Sequence, residues 1–239
     1  MGTRDNMESV VQEVLEALSE LSSERRREQI LYFAPGSQEV VGVSNPDLKE
    51  VIKALKEKYN AWDELQWITL CKELVKRDIF ECQVIAYELI GRTNKLLNAL
   101  SYRDLMGLWR NLDNWASVDH FTVGIYGVLW GKGVVEDKHI EKLLTSDNFW
   151  DRRVAVVSTV ALNLKSRGGT GDTPRTIAVC EKVVDDREDL IRKALSWALR
   201  ELSKRDPQAV RDFMDKYQNR LAGLVIREVN HKLDFGTKN

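Results

Sequence analysis

Apolar residues recur along this chain at intervals of three and four, and alternating strand-like runs are few. In "MESVVQEVLEALSELSSERRREQILYF", Val10, Val11, Val14, Leu15, Leu18 and Leu21 fall on one stripe, which predicts an amphipathic helix. "APGSQEVVGVSNPDLKEVIKALKEKY" reads as a loop followed by a helix, with Asn45 as cap and Pro46 as its first residue. "RDPQAVRDFMDKY" repeats the device with Asp206 and Pro207. Four prolines in 239 residues leave helix as the dominant expectation throughout.

A second, longer period lies over the first. "DIFECQVIAYELIGR", "DNWASVDHFTVGIYGVLW", "DNFWDRRVAVVSTVALNL" and "REDLIRKALSWALREL" share a layout of turn, apolar anchor and amphipathic helix. Their anchors, Phe80, Trp115, Trp150 and Leu190, are 35, 35 and 40 residues apart, and the long step contains the glycine-rich insertion "SRGGTGD" at 166–172. Another helical segment precedes each: "ELQWITLCKELVKR", "YRDLMGLWRNL", "HIEKLLTS" and "TIAVCEKVV". Two helices per ~35–40 residues predict an all-α fold, a curved α-α solenoid of HEAT-like repeats, with the second helices lining the concave face. A non-repeating helical bundle is the alternative. One domain over 1–239 is expected, with loose ends at 1–7 and 234–239.

Charge and composition narrow the chemistry. Lys and Arg number 36 against 37 Asp and Glu, so a nucleic-acid partner has to be met by a local basic surface. Three cysteines, Cys71, Cys82 and Cys180, sit in apolar helical contexts without CxxC spacing, which reads as reduced core thiols in a cytosolic protein. No apolar run reaches the ~18–20 residues of a membrane span, and the first residues carry acid without an apolar signal segment. His120, His139 and His231 are scattered, so no metal site is expected. No cofactor motif appears; "GVLWGKG" matches a phosphate-binding loop only in composition.

The second helices hold the candidate chemistry. Trp115 and Asp119 are four residues apart and therefore neighbours on a helix. Arg152 and Arg153 follow the third anchor, while Lys193, Trp197 and Arg200 share a face of the last segment. Cations suit phosphate oxygens and indoles suit an electron-poor group. A plainer reading stands beside each: core tryptophans, Asp119 as a structural partner of Arg153, and Lys193 and Arg200 in surface pairs with acids such as Asp189 and Glu201.

Three segments in this order resemble the AlkD-type family of DNA alkylation repair glycosylases. "NWASVDHF" is similar to its W-x-S-V-D, "NFWDRRVAVV" to its N-x-W-x-x-R-x-A, and "IRKALSWALRELSKRDPQAV" matches the family pattern through its length. "VVGVSNPDLKEVIK" resembles its G-[IV]-x-x-P segment, and the likeness covers about residues 8–232. The resemblance implies hydrolysis of the N-glycosidic bond of cationic N3- and N7-alkylated purines, such as 3-methyladenine and 7-methylguanine, in duplex DNA. It implies no cofactor and no pocket for the base. It places Asp119 as the catalytic carboxylate, Trp115 and Trp197 as the indoles around the deoxyribose, and Arg153 at a DNA phosphate. Arg152, Lys193, Arg200 and Tyr32 are further DNA-contact candidates, with Phe33 the alternative to Tyr32. Departures are Asn114, where relatives often carry another Trp, Ala116 in place of an acid, and the longer 166–172 insertion. A monomer acting in the prokaryotic cytosol is expected. A non-catalytic binder of damaged or branched DNA, or a protein scaffold, are the competing functions.

Overall fold

A computed structural model describes residues 2–109 and 112–237, which fall into two compact units, Met1–Phe121 and Thr122–Asn239. Of the expected loose ends, Met1, Lys238 and Asn239 lie outside the described residues, whereas the backbone from Gly2 onward is helical.

The first unit contains α1 (Gly2–Glu20), α2 (Glu24–Phe33), α3 (Asn45–Lys58), α4 (Glu64–Val75), α5 (Phe80–Gly91), α6 (Asn94–Ala99), α7 (Tyr102–Leu108) and α8 (Trp115–Phe121). Helix α4 packs on α5; α1 and α7 flank α4, and α3 and α8 flank α5, so the unit has two helical layers. Residues 110 and 111, part of the helix expected at 102–112, are outside the described residues.

In the second unit, a π-helical turn (Thr122–Tyr126) is followed by α9 (Gly127–Gly131), α10 (Asp137–Leu144) and α11 (Phe149–Asn163). A 3-10 turn (Lys165–Arg167), α12 (Thr173–Lys182), α13 (Asp189–Leu202), α14 (Pro207–Tyr217) and α15 (Gly223–Phe235) complete it. Helices α11, α13 and α15 pack in sequence, with α10 and α12 against α11 and α12 and α14 against α13. Gly127 permits α9 to approach α11: a Cβ there would lie 2.7 Å from the Ser158 carbonyl oxygen. Paired helices repeat in both units, and the fold is an α-α solenoid of helical repeats. Among the described residues no helix is long and apolar enough to cross a membrane.

All four anchors fall in a helix's first turn: Phe80 and Trp115 begin α5 and α8, and Trp150 and Leu190 stand second in α11 and α13. None of them is a core residue. Helix α11 keeps no solvent face beyond its first turn, Arg153 through Asn163 being buried without interruption, whereas α5 leaves Val84 and Glu88 partly exposed. Helices covered on several sides by neighbours lose their polar face.

The N-terminal stripe corrects in a similar way. Val10, Val11, Val14 and Leu18 are buried, but the chain turns after Glu20, leaving Leu21 40% exposed, and restarts as α2. Ser44 rather than Asn45 caps α3, its hydroxyl accepting from the Asp47 amide. Asp206 caps α14 as expected, accepting from Ala209 N at 3.0 Å.

The 166–172 insertion folds back over the end of α11. Gly169 N donates to Leu164 O (3.1 Å) and Gly171 N to Leu162 O (3.0 Å), while Arg205 reaches Asn163 O and Gly169 O at 2.9 and 2.7 Å. Asp172 then caps α12. Carbonyls that a helix end leaves without partners are thereby satisfied. Cys71, Cys82 and Cys180 are free and buried, and desolvation pushes the first two thiols up to about 12.

Candidate functional site

Helix α8 shows why "WASVDHF" has its order. Ser117, Val118 and Phe121 face the interior, at no more than 2% exposure. Trp115, 40% exposed, and the partly exposed Asp119 stand a turn apart on another face. Asn114 caps the helix, its Oδ1 accepting from Ser117 N at 2.9 Å. Its Nδ2 donates to Gln38 Oε1 (2.8 Å) and Ser117 Oγ (3.2 Å), and the Ser117 hydroxyl donates to the same Gln38 oxygen at 3.0 Å. The departure at Asn114 thus builds a buried polar cluster beneath the tryptophan.

That cluster anchors the loop between α2 and α3. Glu81, fully buried in α5, accepts from Val41, Gly42 and Val43 amides at 3.0, 2.8 and 3.2 Å. Gly42 has φ +93°, and a Cβ there would sit 2.4 Å from Ser23 O, so only glycine fits. The G-[IV]-x-x-P likeness therefore marks a loop held by a buried carboxylate. Asp113 fastens the other end by accepting from Ser37 N at 2.7 Å. The Trp115 indole itself donates to Phe33 O at 2.6 Å, fixing it to the end of α2. Tyr32 and Phe33 there are 81% and 67% exposed, their rings edge to face at 5.2 Å.

Beside Trp115 opens a cleft of about 430 Å³ between α2, α3, α5 and α8. Trp115, Ala116 and His120 line one side; Phe33, Val84 and Glu88 line others. His120 Nε2 lies 3.1 Å from Glu88 Oε1, and Arg92 Nε donates to Glu88 Oε2 at 3.0 Å. The His120 hydrogen bond, opposed by burial and helped by Arg92, holds the Glu88 carboxyl down at about 2. Helical spacing from Asp119 does not point to Gln38, Glu81 or Glu88; the only sequence signal was the glycine at 42.

The second unit holds the other candidates. Trp197 lies partly exposed on α13. Lys193, one turn earlier, is 55% exposed along its side chain and 3.4 Å from Asp189. Arg200 sits against α15, 3.6 Å from Glu228, with its Nε donating to Ser196 Oγ at 3.2 Å; Ser196 in turn donates to Glu228 at 2.6 Å. Burial pulls the Arg200 guanidinium below its ordinary range against the opposing pull of Glu228. Arg152 pairs with Asp186 at 2.7 Å and donates to Ser146 O and Asp147 O. Arg153 is 5% exposed and donates to Leu190 O at the start of α13. Of the DNA-contact candidates, Tyr32 and Lys193 stand in solvent, while Arg152, Arg153 and Arg200 hold internal partners.

An α-α repeat protein that exposes tryptophans and an acid on its helix faces is the class these features define. The chain belongs to the DNA alkylation repair enzyme family, whose model matches residues 14–233. A solved structure described as a predicted DNA alkylation repair enzyme from Enterococcus faecalis shares its fold. The TM-score is 0.67 at 19% identity, over 90% of this chain and 97% of that one. No curated protein matches the sequence. Membership of that family places the chain in DNA alkylation repair, and among the described residues no group of three or more His, Cys, Asp or Glu is placed to hold a metal ion.

Proposed function

We propose that the chain is a monofunctional DNA glycosylase for cationic N3- and N7-alkylated purines, 3-methyladenine and 7-methylguanine among them. The observation that carries this reading is the pairing on α8: a solvent-facing indole, Trp115, one turn before the carboxylate of Asp119, in a member of a DNA alkylation repair family.

An alkylated purinium departs as a neutral base, so the leaving group needs little protonation. The sugar, becoming oxocarbenium-like, needs negative charge and a positioned water. Asp119 supplies both. On the family pattern, Trp115 and Trp197 are each assigned cation–π attraction to that sugar, ~1–2 kcal/mol where water is excluded. Lys193 and Tyr32 meet the backbone from solvent-facing positions, Arg153 is assigned to a phosphate on the family pattern, and Arg152 and Arg200 are further DNA-contact candidates. No lysine occupies the position of Asp119, so base release proceeds without a Schiff base and without strand cleavage. A monomer working in the cytosol of a prokaryote completes the reading.

Base release from methylated duplex DNA, measured by chromatography, tests it. Wild type releases 7-methylguanine; Asp119→Asn lowers the rate ~10²–10³-fold while binding stays within a few-fold. Wild-type protein that binds methylated DNA and releases nothing makes this chain a non-catalytic binder.

A further inference from the structure

Helix α8, which carries Trp115 and Asp119, is seven residues long. A helix that short has little stability of its own and takes its place from whatever holds its first turn. Here the holder is one side chain of the α2–α3 loop. Gln38 Oε1 accepts from Asn114 Nδ2 at 2.8 Å and from Ser117 Oγ at 3.0 Å. Asn114 and Ser117 bracket Trp115, so a single amide oxygen fixes the chain before and after the indole. The indole nitrogen is held in turn at Phe33 O, five residues before Gln38.

Gln38 does not simply move with α8. Its neighbour Glu39 donates through its amide to Asp78 O at 3.1 Å and accepts from Phe80 N at 2.8 Å, which pins this part of the loop to the start of α5. The three side chains of the cluster are buried, Gln38 at 5% exposure, Ser117 at 2% and Asn114 at 1%. The other end of the Gln38 amide has no use in the cluster: Nε2 is buried and lacks a hydrogen-bond partner among the described residues. A buried donor in that state costs stability. Keeping it for the sake of the oxygen beside it points to a geometric requirement, and such requirements gather at functional sites.

We propose that Gln38 is a positioning residue for base release: its amide oxygen sets the first turn of α8 relative to α5, and through that turn the placing of Trp115 and Asp119 against the deoxyribose of the lesion. Buried beneath the helix, Gln38 acts through α8 and not by touching DNA. The inference rests on the glycosylase reading for its reaction. Rate is sensitive to displacements of about 1 Å at the reacting groups, even when their cause lies elsewhere.

The test is single-turnover release of 7-methylguanine from methylated duplex DNA, with DNA affinity and thermal melting measured on the same preparations and rates compared where every variant is folded. Gln38→Met keeps the length of the side chain and removes the acceptor. Gln38→Glu keeps an accepting oxygen. Ser117→Ala removes one of the two donors and takes the place of Gln38→Met if that variant does not fold. Gln38→Met is expected to lower the rate constant by about tenfold or more while DNA affinity stays within about threefold, and Gln38→Glu to recover most of the rate. Ser117→Ala is expected to lower the rate constant by about threefold or more. A role in stability alone would lower the melt and leave the rate constant of the folded protein at the wild-type value. That result in Gln38→Met, or in Ser117→Ala where Gln38→Met does not fold, overturns the inference. So does an affinity loss as large as the rate loss, or a Gln38→Glu protein as slow as Gln38→Met. Wild type that releases base while the variants keep pace loses this inference alone; wild type that releases nothing loses the glycosylase reading and this inference with it.

Discussion

The Trp115 indole nitrogen donates to the Phe33 carbonyl at 2.6 Å, so the tryptophan that begins α8 also holds the last residue of α2. Trp115→Phe keeps a ring and removes that bond. It is expected to cost about 0.5–1.5 kcal/mol of stability, read by urea denaturation, and to lower base release more than the stability loss accounts for. Unchanged base release in a folded Trp115→Phe protein would remove the indole from the chemistry.

Glu81 gives a larger effect. Its buried carboxylate is the partner of three backbone amides, and Glu81→Ala leaves them without an acceptor. At about 1–3 kcal/mol per buried unsatisfied group, the variant is expected to unfold near room temperature or lose most of its denaturation midpoint. A change under about 1 kcal/mol would mean that water or a relaxed loop replaces the carboxylate.

The arginines and the exposed lysine should separate. Arg152, in a largely buried pair with Asp186, anchors the turn before α11; Arg152→Ala is expected to lower the melting temperature, costing up to ~3 kcal/mol. Lys193→Ala should leave the melt unchanged and reduce the salt slope of DNA affinity by about one. Arg153→Ala should flatten that slope and also lower the melt, because its side chain is 5% exposed and joins α11 to α13. An unchanged slope in Arg153→Ala would take it off the DNA surface.

Acid should act through two carboxylates. His120 and Arg92 hold Glu88 at about 2. Burial by itself raises Asp104, but hydrogen bonds from Lys72 and Ser101 outweigh it and also bring that group to about 2. Both folded values lie below the ordinary carboxylate range, so this stability is present above about pH 4.5 and is lost as pH falls toward 2. Glu88→Gln and Asp104→Asn should each flatten the fall in melting temperature across that window. Parallel curves for wild type and variants would refute the assignment.

The cysteines offer a control on the core. Cys71 and Cys82 are fully buried with thiols pushed up to about 12, so all three cysteines should resist a thiol reagent in the native protein and react together in urea. Rapid native labelling would show that α4 or α5 opens.

Much of the fold was legible because local rules act over a few residues. The repeat located the starts of α5, α8, α11 and α13 to within one residue, and Pro207 with Asp206 marked α14. Errors came where a choice depended on neighbours. Ser44 and Asn45 are both good caps, and the hydroxyl won by reaching Asp47. Phe80, Trp115, Trp150 and Leu190 are apolar anchors of the repeat pattern, yet they sit in first turns, which neighbouring helices leave partly uncovered. The candidate residues themselves, Trp115 and Asp119, were legible because four residues make one helical turn.

By itself the sequence determined an all-helical repeat and the one-turn spacing of Trp115 and Asp119 on a helix. Those are consequences of periodicity and backbone sterics, which each short segment contains. Only the tertiary structure decided that Glu81 holds the 41–43 loop, that Arg152 and Arg200 are committed to Asp186 and Glu228, and that a cleft opens beside Trp115. Burial and partner choice depend on residues distant in the chain arriving within hydrogen-bonding distance, and no local pattern encodes that.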